Sequence, residues 1–153
     1  MNKQPIIRFM TNEDIDQVIQ IDEESFPNPW PKHSYFYEIN ENTNSRAWVM
    51  EIDSGDKKEI IAMAVLWLVL DEVHIGTIAV HPNYRGIGMG KIFLSEILEN
   101  AFEEGVIKAY LEVRKSNEVA IHLYESMGFQ IDGVRKEYYR DNREDALMMS
   151  CEI

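Results

Sequence analysis

The chain has 153 residues, 45% apolar and 27% charged, which is the balance of one folded domain and excludes a disordered or fibrous chain. A formal net charge of −12 argues against general nucleic-acid binding, which needs phosphates neutralised by Lys and Arg; it serves either solubility or the attraction of a cationic substrate such as a basic protein or polyamine. The single cysteine, Cys151, excludes an internal disulfide and suits the reducing cytoplasm, and the longest apolar run, Ile60–Leu70, falls short of the ~20 residues that cross a bilayer.

The opening "MNKQPIIRFMTNED" lacks the long apolar stretch of a secretory leader, and "IIRFM" within it reads as a short strand. Thr11 with Asp14 then opens a helix whose apolar residues Ile15, Val18 and Ile19 share a face. Three prolines in "FPNPWP" break that helix, and a second short one follows through Tyr35, Phe36 and Ile39. "RAWVMEI" and "EIIAMAVLWLVL" are strands joined by the turn "DSGDKK", and "EVHIGTIAV" is a third. After "HPNYRGIGMG" comes a helix with Phe93, Leu94, Ile97, Leu98 and Ala101 on its apolar face, ended by Gly105. "IKAYLEVR" is a strand that places Tyr110, Glu112 and Arg114 on one side, Leu111 and Val113 on the other. Ser116 or Asn117 caps the helix "EVAIHLYES", and Gly128 lies past its end. "FQIDGVRKEYY" and "ALMMSCEI" close the chain as an antiparallel pair around "RDNRED". The order β-α-α-β-β-β-α-β-α-β-β predicts one α/β domain over residues 1–153, with a mixed central sheet flanked by helices.

The glycine loop "RGIGMGK" invites a phosphate. A P-loop fails because Arg85 stands where its first glycine belongs and Ile92 where its Mg²⁺-binding Ser or Thr belongs. A dinucleotide fingerprint fails because its third glycine would be Lys91 or Phe93. What remains is Arg85-x-x-Gly88-x-Gly90 between strand and helix, where bare backbone and a helix N-terminus can approach an anion. A tight strand-to-helix turn without a ligand would use the same glycines.

"IAVHPNYRGIGMGK" followed by "LEVRKSNEVAIHLYESMGF" resembles the GNAT acetyltransferases, and within them the RimI-type N-terminal acetyltransferases. "FPNPW", "YY" and "REDALMM" extend the likeness over nearly the whole chain. The resemblance implies acetyl-CoA as co-substrate. Ile78, Ala79 and Val80 would lie along its pantetheine arm, with the Val80 N–H aimed at the thioester oxygen. Arg85, Gly86, Ile87, Gly88, Met89, Gly90 and Lys91 would hold its pyrophosphate, with Asn117 a further contact. It also implies Glu112 as general base, Tyr124 as general acid, and a protein N-terminus as substrate, namely the alanine of ribosomal protein S18. Gly86 stands where many relatives have a second basic residue, and His74 and Thr77 lie where relatives often present other side chains to the substrate.

By residue type alone, Glu112 can also be a surface carboxylate and Tyr124 a packing residue with its hydroxyl at the rim. Phe26, Trp30, Tyr138 and Tyr139 can line a peptide groove or simply pack. His33, His74, His81 and His122 form no HExxH pair, so no metal is expected, and Cys151 reads as a small core residue. A polyamine or other small amine is the alternative substrate, and neither a membrane nor nucleic acid is expected as a partner.

Overall fold

A computed structural model describes residues 4–153; residues 1–3, where the expected absence of a leader begins, lie outside it. Seven strands and four helices follow in the predicted order: β1 Ile6–Phe9, α1 Ile15–Ser25, α2 Lys32–Asn40, β2 Ser45–Ser54, β3 Lys57–Val69, β4 Glu72–Val80, α3 Met89–Glu103, β5 Lys108–Arg114, α4 Glu118–Ser126, β6 Gln130–Arg135 and β7 Ala146–Glu152. They form one sheet in the order β1-β2-β3-β4-β5-β7-β6. Only β4 and β5 run parallel, because α3 carries the chain back to the same end of the sheet between them.

Alternating side chains give the sheet two apolar faces. Ala62, Ala64, Val73, Ile75, Leu111 and Val113 pack with Phe93, Leu94 and Ile97 of α3 and with Ile121 and Tyr124 of α4. On the opposite face Val49, Met63, Val65 and Ala79 pack with Val18 and Ile21 of α1 and Tyr35 of α2. Cys151 sits half-buried against the first of these clusters.

The helix signals hold locally. The Asp14 carboxylate accepts from the Thr11 N–H at 2.8 Å, although the first turn is a tight 3₁₀ turn before α1 proper. Asn117 caps α4, its Oδ1 accepting from the Ala120 N–H at 3.2 Å. One boundary differs: β6 stops at Arg135, short of the predicted "EYY". Glu137 has a left-handed φ of 52°, and its N–H donates to the Asp145 carboxylate at 2.9 Å. Tyr138 and Tyr139 are thereby lifted out of the ladder into the turn before β7.

The sheet is not continuous at its centre. β4 pairs with β5 only over Glu72–His74 against Lys108–Tyr110. Just beyond, the β3–β4 register jumps between Val65/Thr77 and Leu66/Ile75, leaving Gly76 as the extra residue of a bulge. A Cβ on Gly76 would lie 2.6 Å from Cη2 of Trp67, so only glycine lets the indole lie against the bulged backbone. Bulges bend a strand and increase its twist; this one turns the end of β4 away from β5 and opens a cleft through the sheet.

Candidate active site

The β4 wall of the cleft carries unpaired backbone. The His81 N–H donates to Ile61 at 2.8 Å. Hydrogen bonding alternates along an antiparallel pair, so Ala79 and Thr77 also face β3 while Ile78 and Val80 present their N–H and C=O groups to the cleft. Arg85 already uses one of these groups, its Nε donating to the Val80 oxygen at 2.8 Å.

At the cleft's end the chain makes a short turn, capped by His81 Nδ1, which accepts from the Asn83 N–H. Tyr84 donates to Glu59 at 3.0 Å and pins that turn to β3. Gly86 and Gly88 follow with φ of 78° and 87°, left-handed values that favour glycine. Among the described residues no backbone N–H from Gly86 to Lys91 donates to a backbone acceptor outside the helix, and α3's first turn leaves its N–H groups free by geometry. Residues 86–91 therefore form a row of donors at a helix N-terminus, the arrangement that binds a phosphate anion. Arg85, predicted beside that phosphate, turns back towards β4 instead, donating from Nε to Val80 and from Nη2 to Ser25 Oγ at 2.8 Å. Its Nη1 has no such bond among the described residues.

The β5 wall carries Glu112 on the α1/α2 face, at the point where β4 has left. Its Oε2 lies 2.5 Å from Nε2 of His74. His74 stacks on Tyr110, with ring centroids 4.8 Å apart and planes 13° from parallel. Trp67 lies 5.4 Å from His74, and Trp30 stacks on Trp67 at 5.9 Å. An aromatic row thus runs from the α1–α2 loop to Glu112.

Tyr124 stands on the other face, in the α3/α4 core and 7% exposed. Its hydroxyl makes no hydrogen bond among the described residues. Burial, with the neighbouring Tyr139 adding to it, pushes Tyr124 up to about 12, so the hydroxyl keeps its proton throughout the neutral range. Burial likewise raises Tyr139 to about 12, against the opposing pull of Arg114, whose guanidinium carbon lies 3.9 Å from the ring centre. Tyr139 feels the charge of Glu112 and also raises Tyr124.

Of the four aromatics proposed for a groove, Trp30 and Phe26 lie half-buried against the α1/α2 core. Tyr138 and Tyr139 line an open cleft of about 830 Å³ with Asn28, Arg140 and Asp141. Asn28, between Phe26 and Trp30, brings the two groups to one entrance. The sequence reading missed Asp22, which accepts from the Trp30 N–H at 3.0 Å and from the Tyr35 hydroxyl at 2.5 Å. An acid three and seven residues beyond Ile19 and Ile15, on the apolar face of α1, was the available signal. Trp67 was hidden inside an apolar run that betrays nothing of its role.

Residues 15–129 match the acetyltransferase (GNAT) family. The chain belongs to the GNAT acetyltransferase family. Its fold is the GNAT-like α/β domain, and its chemistry is acyl transfer with acetyl-CoA as donor. A Bacillus subtilis protein provisionally named a ribosomal protein bS18-alanine N-acetyltransferase is 38% identical over 97% of this chain and 96% of its own. The Escherichia coli K12 protein named [ribosomal protein bS18]-alanine N-acetyltransferase is 32% identical over 96% of this chain and 97% of its own. The crystal structure of the E. coli ribosomal-protein-S18-alanine N-acetyltransferase superposes with a TM-score of 0.86 at 30% identity, covering 98% of this chain and 94% of that one. Arabidopsis thaliana NAA60 in complex with acetyl-CoA shares the fold, with a TM-score of 0.87 at 20% identity over 98% and 99% of the two chains.

Among the described residues no three His, Cys, Asp or Glu side chains gather as a metal site, and no helix is long and apolar enough to cross a membrane.

Proposed function

We propose that this enzyme acetylates the α-amino group of a protein N-terminus, the alanine of ribosomal protein bS18, in the cytoplasm, and that residues 1–153 act as one domain. The observation that carries the proposal is the gap where β4 leaves β5, with Glu112 on one face of the sheet and Tyr124 in the core on the other. Near-full-length likeness to two proteins named for that substrate supports its identity.

Acetyl-CoA supplies an activated acetyl carbonyl. The free N–H groups of Gly86, Ile87, Gly88, Met89, Gly90 and Lys91 suit its pyrophosphate, and Arg85, whose two bonds run to neutral oxygens, contributes its positive charge and the N–H groups of Nη1. Ile78 and Val80 offer strand backbone to its extended arm, whereas the Ala79 backbone, expected beside them, is turned to β3; Asn117 presents its remaining amide N–H₂ from the start of α4. The peptide enters on the opposite face, between Phe26 and Trp30 on one side and Tyr138 and Tyr139 on the other.

An α-amine with a pKa of ~8 is mostly protonated at neutral pH. The neutral amine attacks, its first proton having gone to solvent, and Glu112 takes the remaining surplus proton from the nitrogen as the new C–N bond forms. The Val80 N–H holds the carbonyl oxygen, a donor fixed in place before reaction. Tyr124 gives its proton to the sulfur as the C–S bond breaks, and exchange with solvent restores both groups.

The test offers acetyl-CoA with three acceptors: a peptide starting with alanine, its N-terminally blocked twin carrying internal lysines, and spermidine. Mass spectrometry should find acetyl only on the free terminus. Equal acetylation of the blocked peptide or spermidine would overturn the N-terminal reading and leave the small-amine alternative.

A further inference from the structure

We propose that His74 is the positioning residue for Glu112, and that the two work as one unit in deprotonating the acceptor amine. The inference rests on the reading of Glu112 as base. A carboxylate oxygen and an imidazole nitrogen both bear lone pairs, so a 2.5 Å approach requires a proton between them. With Glu112 ionised, as a base must be, that proton belongs to His74, whose Nε2–H donates to Glu112 Oε2. Glu112 Oε1 has no bond among the described residues, so tying down Oε2 leaves Oε1 as the atom that accepts the amine's proton. When Oε1 takes that proton, the bond from Nε2 to Oε2 persists and the proton on Nε2 does not move.

The surroundings lock the histidine rather than the glutamate. His74 is the last β4 residue paired with β5, two residues before the Gly76 bulge. Its ring is held by stacking on Tyr110 and by Trp67, whose indole N–H donates to Glu38 at 2.9 Å. Glu112 has three rotatable side-chain bonds and no other hydrogen-bonded partner among the described residues. A rigid donor thus orients a flexible acceptor, the arrangement by which one residue fixes another's reacting atom. The other ionisable groups facing the pair are Tyr110 and Arg114 on β5, Glu72 on β4, Glu38 on α2 by way of Trp67, and Tyr139 and Glu144 on the β6–β7 turn. Of all these groups, His74 alone makes a hydrogen bond with the carboxylate among the described residues.

Two substitutions separate the donor from the ring. His74→Phe keeps a planar ring between Trp67 and Tyr110 but removes the N–H; His74→Gln keeps an N–H at similar reach but removes the ring. The expected result is a kcat lowered about tenfold or more in His74→Phe, with the acetyl-CoA-induced rise in melting temperature unchanged. His74→Gln should recover most of the rate. A near-normal His74→Phe beside a crippled His74→Gln would mean that the ring merely packs, and would overturn the proposal, as would wild-type rates in both. If both are slow, Glu112→Gln decides: His74→Phe should cost nothing further in that background, whereas an additive cost refutes coupling. Wild-type turnover in Glu112→Gln alone would instead sink the reading of Glu112 as base.

Discussion

At the scale of single residues, Asp22 shows how a group far from any proton transfer can shape the site. It is 1% exposed, and its Oδ2 accepts from both the Trp30 N–H and the Tyr35 hydroxyl while Oδ1 is buried without a partner. Burial raises its pKa and outweighs those two bonds, which pull the other way. A carboxyl raised in the folded state contributes stability that is present below its unfolded value, near 4, and is lost as pH rises through the folded value. Asp22→Asn cannot ionise, and its amide oxygen can still accept from Trp30 and Tyr35. The stability gap between wild type and Asp22→Asn should therefore narrow, or reverse, between pH 4 and pH 7, as thermal melts at the two pH values would show. Asp22→Ala removes the acceptor for both donors and should cost about 2–4 kcal/mol at pH 4. It should also loosen Trp30 and raise the KM for peptide more than that for acetyl-CoA. A uniform loss with equal effects on both KM values would mean that Asp22 serves the core and not the loop.

Among elements, the decisive object is the strand–loop–helix unit of β4, residues 81–88 and α3. Gly88 and Gly90 serve it differently. Gly88 is left-handed at φ 87°, so a side chain there strains the backbone. Gly90 lies in the first turn of α3, where an added Cβ would meet Leu123 Cδ2 at 3.4 Å and Val80 Cγ2 at 3.6 Å, ordinary contacts. Gly90→Ala should thus melt at or above the wild-type temperature without ligand, since alanine favours a helix by up to ~1 kcal/mol over glycine. Its acetyl-CoA-induced shift should nevertheless shrink, because the methyl group blocks close approach to the backbone; an undiminished shift would take Gly90 out of the cradle. The order of these elements was legible because each has its own local signal: periodicity in α3, alternation in β5, the Asn117 cap of α4. The cleft between β4 and β5 was not. It depends on Gly76 yielding to an indole nine residues earlier in sequence, a contact that no local pattern announces. The same limit applies to Arg85, whose charge points to a phosphate while its hydrogen bonds run to Val80 and Ser25. Glu112 was legible as a candidate, but its histidine partner depended on the register that pairs His74 with Tyr110.

Across the whole molecule, the net charge of −12 has either a catalytic consequence or none. At the peptide entrance Arg114 is already taken up by Asp141 at 3.0 Å and Glu144 at 3.5 Å, so it adds little free positive charge there. Glu23 and Glu24 stand exposed on the last turn of α1, just before the Phe26–Trp30 loop. A basic peptide should therefore be drawn to this mouth, and an acidic one repelled. Such attraction acts over roughly a Debye length, ~10 Å at 0.1 M salt, and affects encounter and binding far more than a proton transfer inside the cleft. With two peptides that both begin with alanine, one basic and one acidic beyond the third residue, kcat/KM should favour the basic peptide at low salt. Raising the salt should shrink that advantage through KM, leaving kcat nearly unchanged. The Glu23→Gln/Glu24→Gln double variant should lose part of the salt dependence without losing stability, since both side chains are exposed. Equal kcat/KM for the two peptides at low salt would confine the acidity to solubility. A kcat that falls with salt in parallel with kcat/KM would place the effect in the cleft itself, where the ionic partners of Glu112 would become the next residues to change.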